Sequence, residues 1–183
     1  NSRFKVFEKY YSQVGAHPVS YIDYECAFAA KNLARSNPSN ILDIGSYRHF
    51  ILGLLAYKQV STIDVRWREP ATQNEIVITS DAKKLDIQDA SFDAVVTLCS
   101  LEHFGLGRYG DEFDLDADKK AIKEMIRVLK PGGILIFTTA ITRAQPSIAF
   151  NGLRIYDYEM ITNFCAELTI MDECFISNKF GAC

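Results

Sequence analysis

The strongest constraint on how this chain folds is a rhythm: short, nearly continuous Val/Ile/Leu runs alternate with stretches of helical periodicity. The runs stand at Asn40–Gly45, Val60–Val65, Ile76–Thr79, Phe92–Leu98 and Ile134–Phe137, and the helical stretches at Tyr21–Arg35, Phe50–Tyr57, Lys119–Leu129 and Tyr158–Ala166. A strand that is apolar on both faces must be covered on both faces, and parallel strands need crossovers, which are usually helices. The rhythm therefore predicts a doubly wound α/β fold, a mostly parallel sheet with helices on both faces, in one domain. Local signals agree. Ser20 with Asp23 resembles a capping box, Asn37-Pro38 ends the first helix, and Lys130-Pro131-Gly132-Gly133 stops the helix before Ile134. A last strand is expected over Thr169–Ile176.

At 183 residues, with 48% hydrophobic and 23% charged residues, the chain suits one globular domain and not a disordered one. A net charge of −3, with no long Lys/Arg block, argues against a nucleic-acid partner. The longest apolar stretch, Phe50–Tyr57, is far short of the roughly 20 residues a membrane helix needs, so no membrane span is expected. Five dispersed cysteines without a C-x-x-C pair favour free thiols and a cytoplasmic setting. His17, His49 and His103 are isolated, so spacing assigns no metal site. No signal peptide is visible in the first residues, and without an initial Met the chain reads as a trimmed one.

In a sheet of this kind ligands bind outside the carboxyl ends of the strands, so the residues after each run carry the functional signal. Asp43-Ile44-Gly45-Ser46 offers a tight turn into a helix N-terminus, although one glycine alone equally fits a generic βα turn. Asp64 ends the second run about 20 residues after Asp43, where this fold hydrogen-bonds a ribose. Asp81, followed by Ala82, could accept from an exocyclic amine or cap a following helix. Glu102 and His103 form a titratable pair after the fourth run, with His103 suited to take a proton and an equal chance of a structural role. The loop after them, Gly105–Asp111, holds Arg108, Tyr109 and Asp111 between glycines and has the composition of a shaped, substrate-facing loop. The acidic stretch Asp111–Asp118 lacks the Gly and Glu of a calcium loop, and charge facing the next helix N-terminus explains it more simply.

Together, Ile41-Leu42-Asp43-Ile44-Gly45, Asp64, Ser80-Asp81-Ala82, Ser91-Phe92-Asp93-Ala94-Val95-Val96 and Arg127-Val128-Leu129-Lys130-Pro131-Gly132-Gly133 resemble the class I S-adenosylmethionine-dependent methyltransferases, over about residues 40–140. The run Ser100–Asp111 also resembles a poorly characterised methyltransferase-like group of that superfamily. The resemblance implies a Rossmann-like domain over residues 40–183 behind an N-terminal helical segment, 1–39. It implies S-adenosylmethionine as cofactor, with Asp43, Gly45 and Ser46 at its methionine part, Asp64 at the ribose, Asp81 and Ala82 at the adenine, and Ser100 and Leu101 beneath it. The reacting methyl would then face the loop Glu102–Asp111. Where the family repeats glycines, this chain has Tyr47 and His49, and Arg48 is expected to compensate by pairing with the methionine carboxylate.

The leading expectation is an enzyme that methylates a small-molecule acceptor, oxygen ahead of nitrogen because His103 could deprotonate a hydroxyl, with Glu102 orienting it or acting in its place. A second reading is a methyltransferase-like module without catalysis, supported by the glycine-poor loop. A third, a nicotinamide-dependent oxidoreductase, is disfavoured because a pyrophosphate needs the missing glycines more. The aromatic segment Phe4–Tyr11 suits an acceptor-pocket cover or a homodimer interface, with plain packing the simpler role. The family's last antiparallel strand would have to come after Thr169–Ile176, and too little chain remains for it.

Overall fold

Five parallel strands make the central sheet: β1 (Ile41–Ile44), β2 (Val60–Asp64), β3 (Glu75–Thr79), β4 (Phe92–Leu98) and β5 (Leu129–Thr138), in spatial order β3-β2-β1-β4-β5. The computed structural model describes residues 14–15, 19–177 and 181–182. Three helices cover the sheet, α1 (Tyr21–Ser36) and α2 (Arg48–Leu54) on one face and α3 (Ala117–Val128) on the other.

The pleat sorts the strand residues between two cores. Leu42, Ile44 and Val95 pack against Ala121, Ile122, Met125 and Val128 of α3. Ile41, Ala94 and Val96, one residue out of phase, pack against Ala29 and Leu33 of α1 and Ile51 of α2. Both faces of β1 and β4 are thus dry, which is why these strands read as continuous apolar runs. Each fully buried Leu or Ile here contributes roughly 1.5–3 kcal/mol of transfer free energy. The core holding α1 is continuous with the sheet, so α1 shares the packing of the α/β unit.

Several expectations need correction. Segments 65–74 and 80–91, which carry the chain from β2 to β3 and from β3 to β4, contain no helix; Pro70 and short polar turns occupy them. The Lys130-Pro131-Gly132-Gly133 motif lies inside β5, where Phe92 pairs with Leu129 and the register then slips so that Ala94 pairs with Ile134. Lys130 closes that bulge with an ion pair to Asp93 at 2.7 Å. Arg127 bonds the carbonyls of Leu85 and Ile87, so the motif fastens the 80–91 crossover to α3.

Beyond β5, a hairpin of β6 (Ser147–Ala149) and β7 (Leu153–Ile155), absent from the sequence reading, precedes α4 (Tyr158–Phe164). Thr169–Ile176 is not a strand of the sheet. Asp172 is anchored to Lys31 and Asn32 on α1 at 2.8 and 3.1 Å, which draws the segment over that helix with Met171 exposed. Only Ile176–Ser177 (β8) pairs, with Gly181–Ala182 (β9). The Phe4–Tyr11 expectation lies outside the described residues. Among the described residues no helix is long and apolar enough to cross a membrane.

Candidate functional site

Strand order reverses beside β1, whose neighbours β2 and β4 lead away in opposite directions, and a crevice opens there at the carboxyl ends. It is a solvent-open cleft whose wall includes Gly45, Asp64, Ser80, Asp81, Ser100 and His103. A second, more open lobe continues past Asp43, Ser46 and Arg48 to Trp67 and Arg68. The topology thus gathers residues distant in sequence along one edge.

Gly45 makes the turn out of β1 with φ +69, and a Cβ there would meet Ser100 Oγ at 2.4 Å. Only glycine lets the backbone lie bare against the β4 end at this point. Ser46 fixes the turn from both sides: its amide donates to Asp43 at 3.3 Å, and its hydroxyl accepts from the amide of Leu98 at 2.9 Å. Tyr47 packs with the hydrophobic core under α1 and α2, and His49 is exposed, so neither side chain lines the cleft. The glycine-poor loop leaves the crevice open.

The β1–β2–β3 side is a lattice of carboxylates and arginines. Burial pushes the Asp43 carboxyl up to about 7, against the Ser46 hydrogen bonds and the charges of Arg68 and Arg48. Glu75, at the start of β3, takes Arg48 in a two-point pair, the second contact at 2.8 Å, and Arg68 at 2.6 Å. Burial alone would raise Glu75, yet the two guanidiniums hold it well below the carboxylate range. Arg48, expected to reach a ligand carboxylate, rests both terminal nitrogens on Glu75 while its side chain stays partly exposed on the wall of the second lobe. Asp64 is held by Arg66 through both oxygens, at 2.9 and 2.8 Å, and Arg66 lies 4.5 Å over the ring of Tyr109 across the cleft. Burial opposes ionisation of Asp64, but Arg66 keeps it below its ordinary value. Asp81 caps a turn, accepting from the Lys83 amide at 2.9 Å, and Ala82 packs in the core beneath it.

The β4–β5 side differs. Cys99 follows β4 with φ 49, a left-handed conformation that a cysteine adopts at a cost, and its thiol donates to Glu102 at 3.1 Å. Burial and then the Glu102 charge push the Cys99 thiol up to about 12. Glu102 is only 2% exposed; its other oxygen accepts from Thr139 at 3.1 Å. Behind them Glu25, on α1, and the Tyr47 hydroxyl lie side by side, within reach of each other and of Thr138 and Cys99. Burial raises the Glu25 carboxyl. His103 Nδ1 lies 2.6 Å from the Gly152 carbonyl of the β6–β7 hairpin, and Arg108 donates to the same oxygen at 3.2 Å. With Nδ1–H donating, the free lone pair of the ring is on Nε2.

The glycine loop is fastened rather than mobile in design. Asp111 accepts from the amides of Tyr109 and Gly107, and a Cβ at Gly105 would meet the Asp114 carbonyl at 2.2 Å. Arg154, 4% exposed, donates to the carbonyls of Phe104, Asp114 and Leu115 and pairs with Asp118. Asp114 and Asp116 pair with Lys120 and Lys119, so the acidic stretch is neutralised at the head of α3.

Of the residues singled out in sequence, Gly45, Asp64, Asp81, Ala82, Ser100, His103, Tyr109 and Asp111 line the first lobe, and Asp43, Ser46 and Arg48 the second. Leu101 is instead wholly within the core, Glu102 is buried behind the wall, and Arg108 is exposed on the far side of His103. Sequence reasoning missed Glu25, Cys99, Arg68, Glu75, Gly152 and Arg154. Cys99 alone carried a local signal, as the residue immediately after an apolar run.

A family model described as a methyltransferase domain matches residues 42–137. No curated protein matches the chain. Among solved structures, the [4+2]-cyclase SpnF superposes with a TM-score of 0.64 at 24% identity, covering 81% of this chain and 60% of SpnF, so this chain spans less than two thirds of that protein. The Burkholderia thailandensis 1,6-didemethyltoxoflavin-N1-methyltransferase, solved with bound 1,6-didemethyltoxoflavin and S-adenosylhomocysteine, gives 0.65 at 16% identity over 87% of this chain and 73% of that one. A Methanosarcina mazei SAM-dependent methyltransferase gives 0.60 at 18% identity, over 81% and 87%. At these identities the superpositions establish the shared fold.

Proposed function

The chain belongs to the methyltransferase-domain family, and from that premise we propose that it methylates a small-molecule hydroxyl with S-adenosylmethionine as methyl donor. The observation that carries this reading is the bare Gly45 turn facing the Ser100 wall of a crevice at the sheet's reversal point. The residues present suit the cofactor: a cradle that a Cβ would fill, a carboxylate at the end of β2 and a turn at Asp81 along one edge. Asp43, Gly45 and Ser46 would hold its methionine part, Asp64 its ribose hydroxyls, and Asp81 with Ala82 its adenine, while Ser100 and the core residue Leu101 support the floor. Arg48, on the wall of the second lobe, is held in place there by Glu75. When bound, the cofactor supplies an activated methyl on a sulfonium, so the protein's work is chiefly orientation.

His103, on the cleft wall with Nδ1 tied to Gly152, would take the acceptor's proton on Nε2. Glu102 orients that corner through Thr139 and Cys99. Tyr109 bounds the acceptor side, Asp111 keeps its loop in shape, and Arg108 steadies His103 through the shared carbonyl. A non-catalytic module drew its support from the glycine-poor loop, and Tyr47 turning away from the cleft removes it.

Calorimetry with S-adenosylhomocysteine tests the reading. Binding is expected, weakened roughly tenfold by Asp64→Ala, which removes a charge-assisted acceptor. Arg66→Ala, which frees Asp64, should bind at least as tightly as the parent. Absence of binding at millimolar ligand overturns the proposal.

A further inference from the structure

Cys99, Glu102 and His103 bring a sulfur, a carboxylate oxygen and a ring nitrogen within 4.8 Å of one another at the inner end of the cleft. We propose that these three side chains form a binding site for a zinc-class divalent cation, open toward the cleft, where it takes the acceptor's hydroxyl. The inference rests on the methyl-transfer reading for the acceptor's role, and on the residues alone for the cation.

Four observations support it. The donor set is mixed S, N and O, which suits zinc and cobalt and not calcium or magnesium. Each outer ligand already has the second partner that metal sites use to hold their ligands in aim: Thr139 on Glu102 at 3.1 Å and the Gly152 carbonyl on His103 Nδ1 at 2.6 Å, which leaves the Nε2 lone pair for a cation. Cys99 keeps a left-handed φ of 49 where Gly or Asn would be less strained, and that kink directs its sulfur to 3.1 Å from Glu102. Finally, Glu102 is 2% exposed, yet among the described residues no Lys or Arg pairs with it or with neighbouring Glu25. A carboxylate so buried is normally matched by a positive charge.

Three protein ligands leave one position of a tetrahedral cation open, the pattern of catalytic rather than structural zinc. Cys99 and His103 line the cleft while Glu102 lies behind it, so the open position faces the acceptor side. A hydroxyl bound there loses its proton to solvent water more readily, as metal-bound water does. With the cation bound, His103 is its ligand and the lowering of the acceptor's proton affinity passes from His103 to the cation; the base role of His103 is that of the cation-free chain.

The test is titration of the chelator-treated full chain with cobalt(II), whose visible bands and thiolate charge-transfer absorption report geometry and sulfur ligation. One equivalent should bind with both signatures. Cys99→Ser should abolish the charge-transfer band, and Glu102→Gln and His103→Ala should each weaken binding roughly tenfold or more. Cys165→Ser and Cys174→Ser should change nothing. Because Glu102→Gln alters a buried group, far-ultraviolet circular dichroism verifies its fold, and a rise in Tm with zinc in the parent but not in Cys99→Ser gives a second readout. No stoichiometric binding in the parent, or binding with the same charge-transfer band in Cys99→Ser, overturns the site. S-adenosylhomocysteine calorimetry separates the two proposals. Homocysteine-nucleoside binding without cobalt binding sinks the metal site alone; cobalt binding without it leaves the site standing and sinks methyl transfer.

Discussion

The two sides of the crevice handle buried charge in opposite ways. On the β1–β2–β3 side, Asp64 and Glu75 sit against Arg66, Arg48 and Arg68, and Asp43 lies within the field of Arg48 and Arg68. On the β4–β5 side, Glu25, Glu102 and Cys99 cluster with hydroxyls and an imidazole, and the buried Arg154 nearby is engaged by Asp118 and loop carbonyls. A neutralised wall presents a fixed surface to a ligand. A wall with unmatched carboxyl groups retains the capacity to hold a proton or a cation, and that is where chemistry needs it.

Four substitutions break or sharpen this contrast. The largest effect is expected from Arg154→Ala, which leaves Asp118 and the carbonyls of Phe104, Asp114 and Leu115 without their donor; urea unfolding should show a loss of about 3–5 kcal/mol. Glu75→Gln should cost less, about 2–3 kcal/mol, because Arg48 and Arg68 are about a third exposed and water can replace part of the pairing. The native Glu75 carboxyl lies below its ordinary 4.5, so its stabilisation is full above that value and is lost as pH falls through the depressed one. Glu75→Gln should lack that acid-sensitive part of the Tm profile.

Asp43 has the reverse sign. Its carboxyl, raised from 3.8 to about 7, favours the protonated form in the fold, so the parent should lose stability as pH climbs through that interval. Asp43→Asn should flatten the profile, the gap at pH 8 being about 1–3 kcal/mol; a parent profile that rises over the same window would refute the assignment. Tyr47→Phe is the smallest change. It removes a buried hydroxyl that faces Glu25 and Cys99, so its Tm should fall by an amount equivalent to about 1 kcal/mol.

Sequence made the sheet legible because both faces of β1 and β4 are dry, and an unbroken apolar run is the direct imprint of that burial. It misread Thr169–Ile176 because Thr169, Ile170 and Phe175 look like strand residues, while the deciding contacts, Asp172 to Lys31 and Asn32, lie far apart in sequence. The same limit governed the site. Asp43, Gly45, Asp64 and Asp81 were singled out because they stand at or just past the carboxyl ends of strands, which the topology brings to one edge. The pairing of Arg48 with Glu75 was illegible because Glu75 is at the amino end of another strand, and nothing local marks such a pair. Glu25 comes from α1 on the opposite face, and Gly152 from a hairpin with no periodic signature. Spacing rules do not bring Cys99, Glu102 and His103 together for a related reason: a kinked strand end and a 3-10 turn replace the regular repeat those rules assume.

The strand order β3-β2-β1-β4-β5 also bears on how the molecule comes into being. During synthesis the first three strands can pair in succession, each beside the one before, but the opposite wall belongs to β4, which docks on the far edge of β1 only after the chain has passed residue 98. Until then β1 offers a bare apolar edge, a vulnerable surface for a nascent chain. Recognition and chemistry therefore arise together, at the moment that edge is closed.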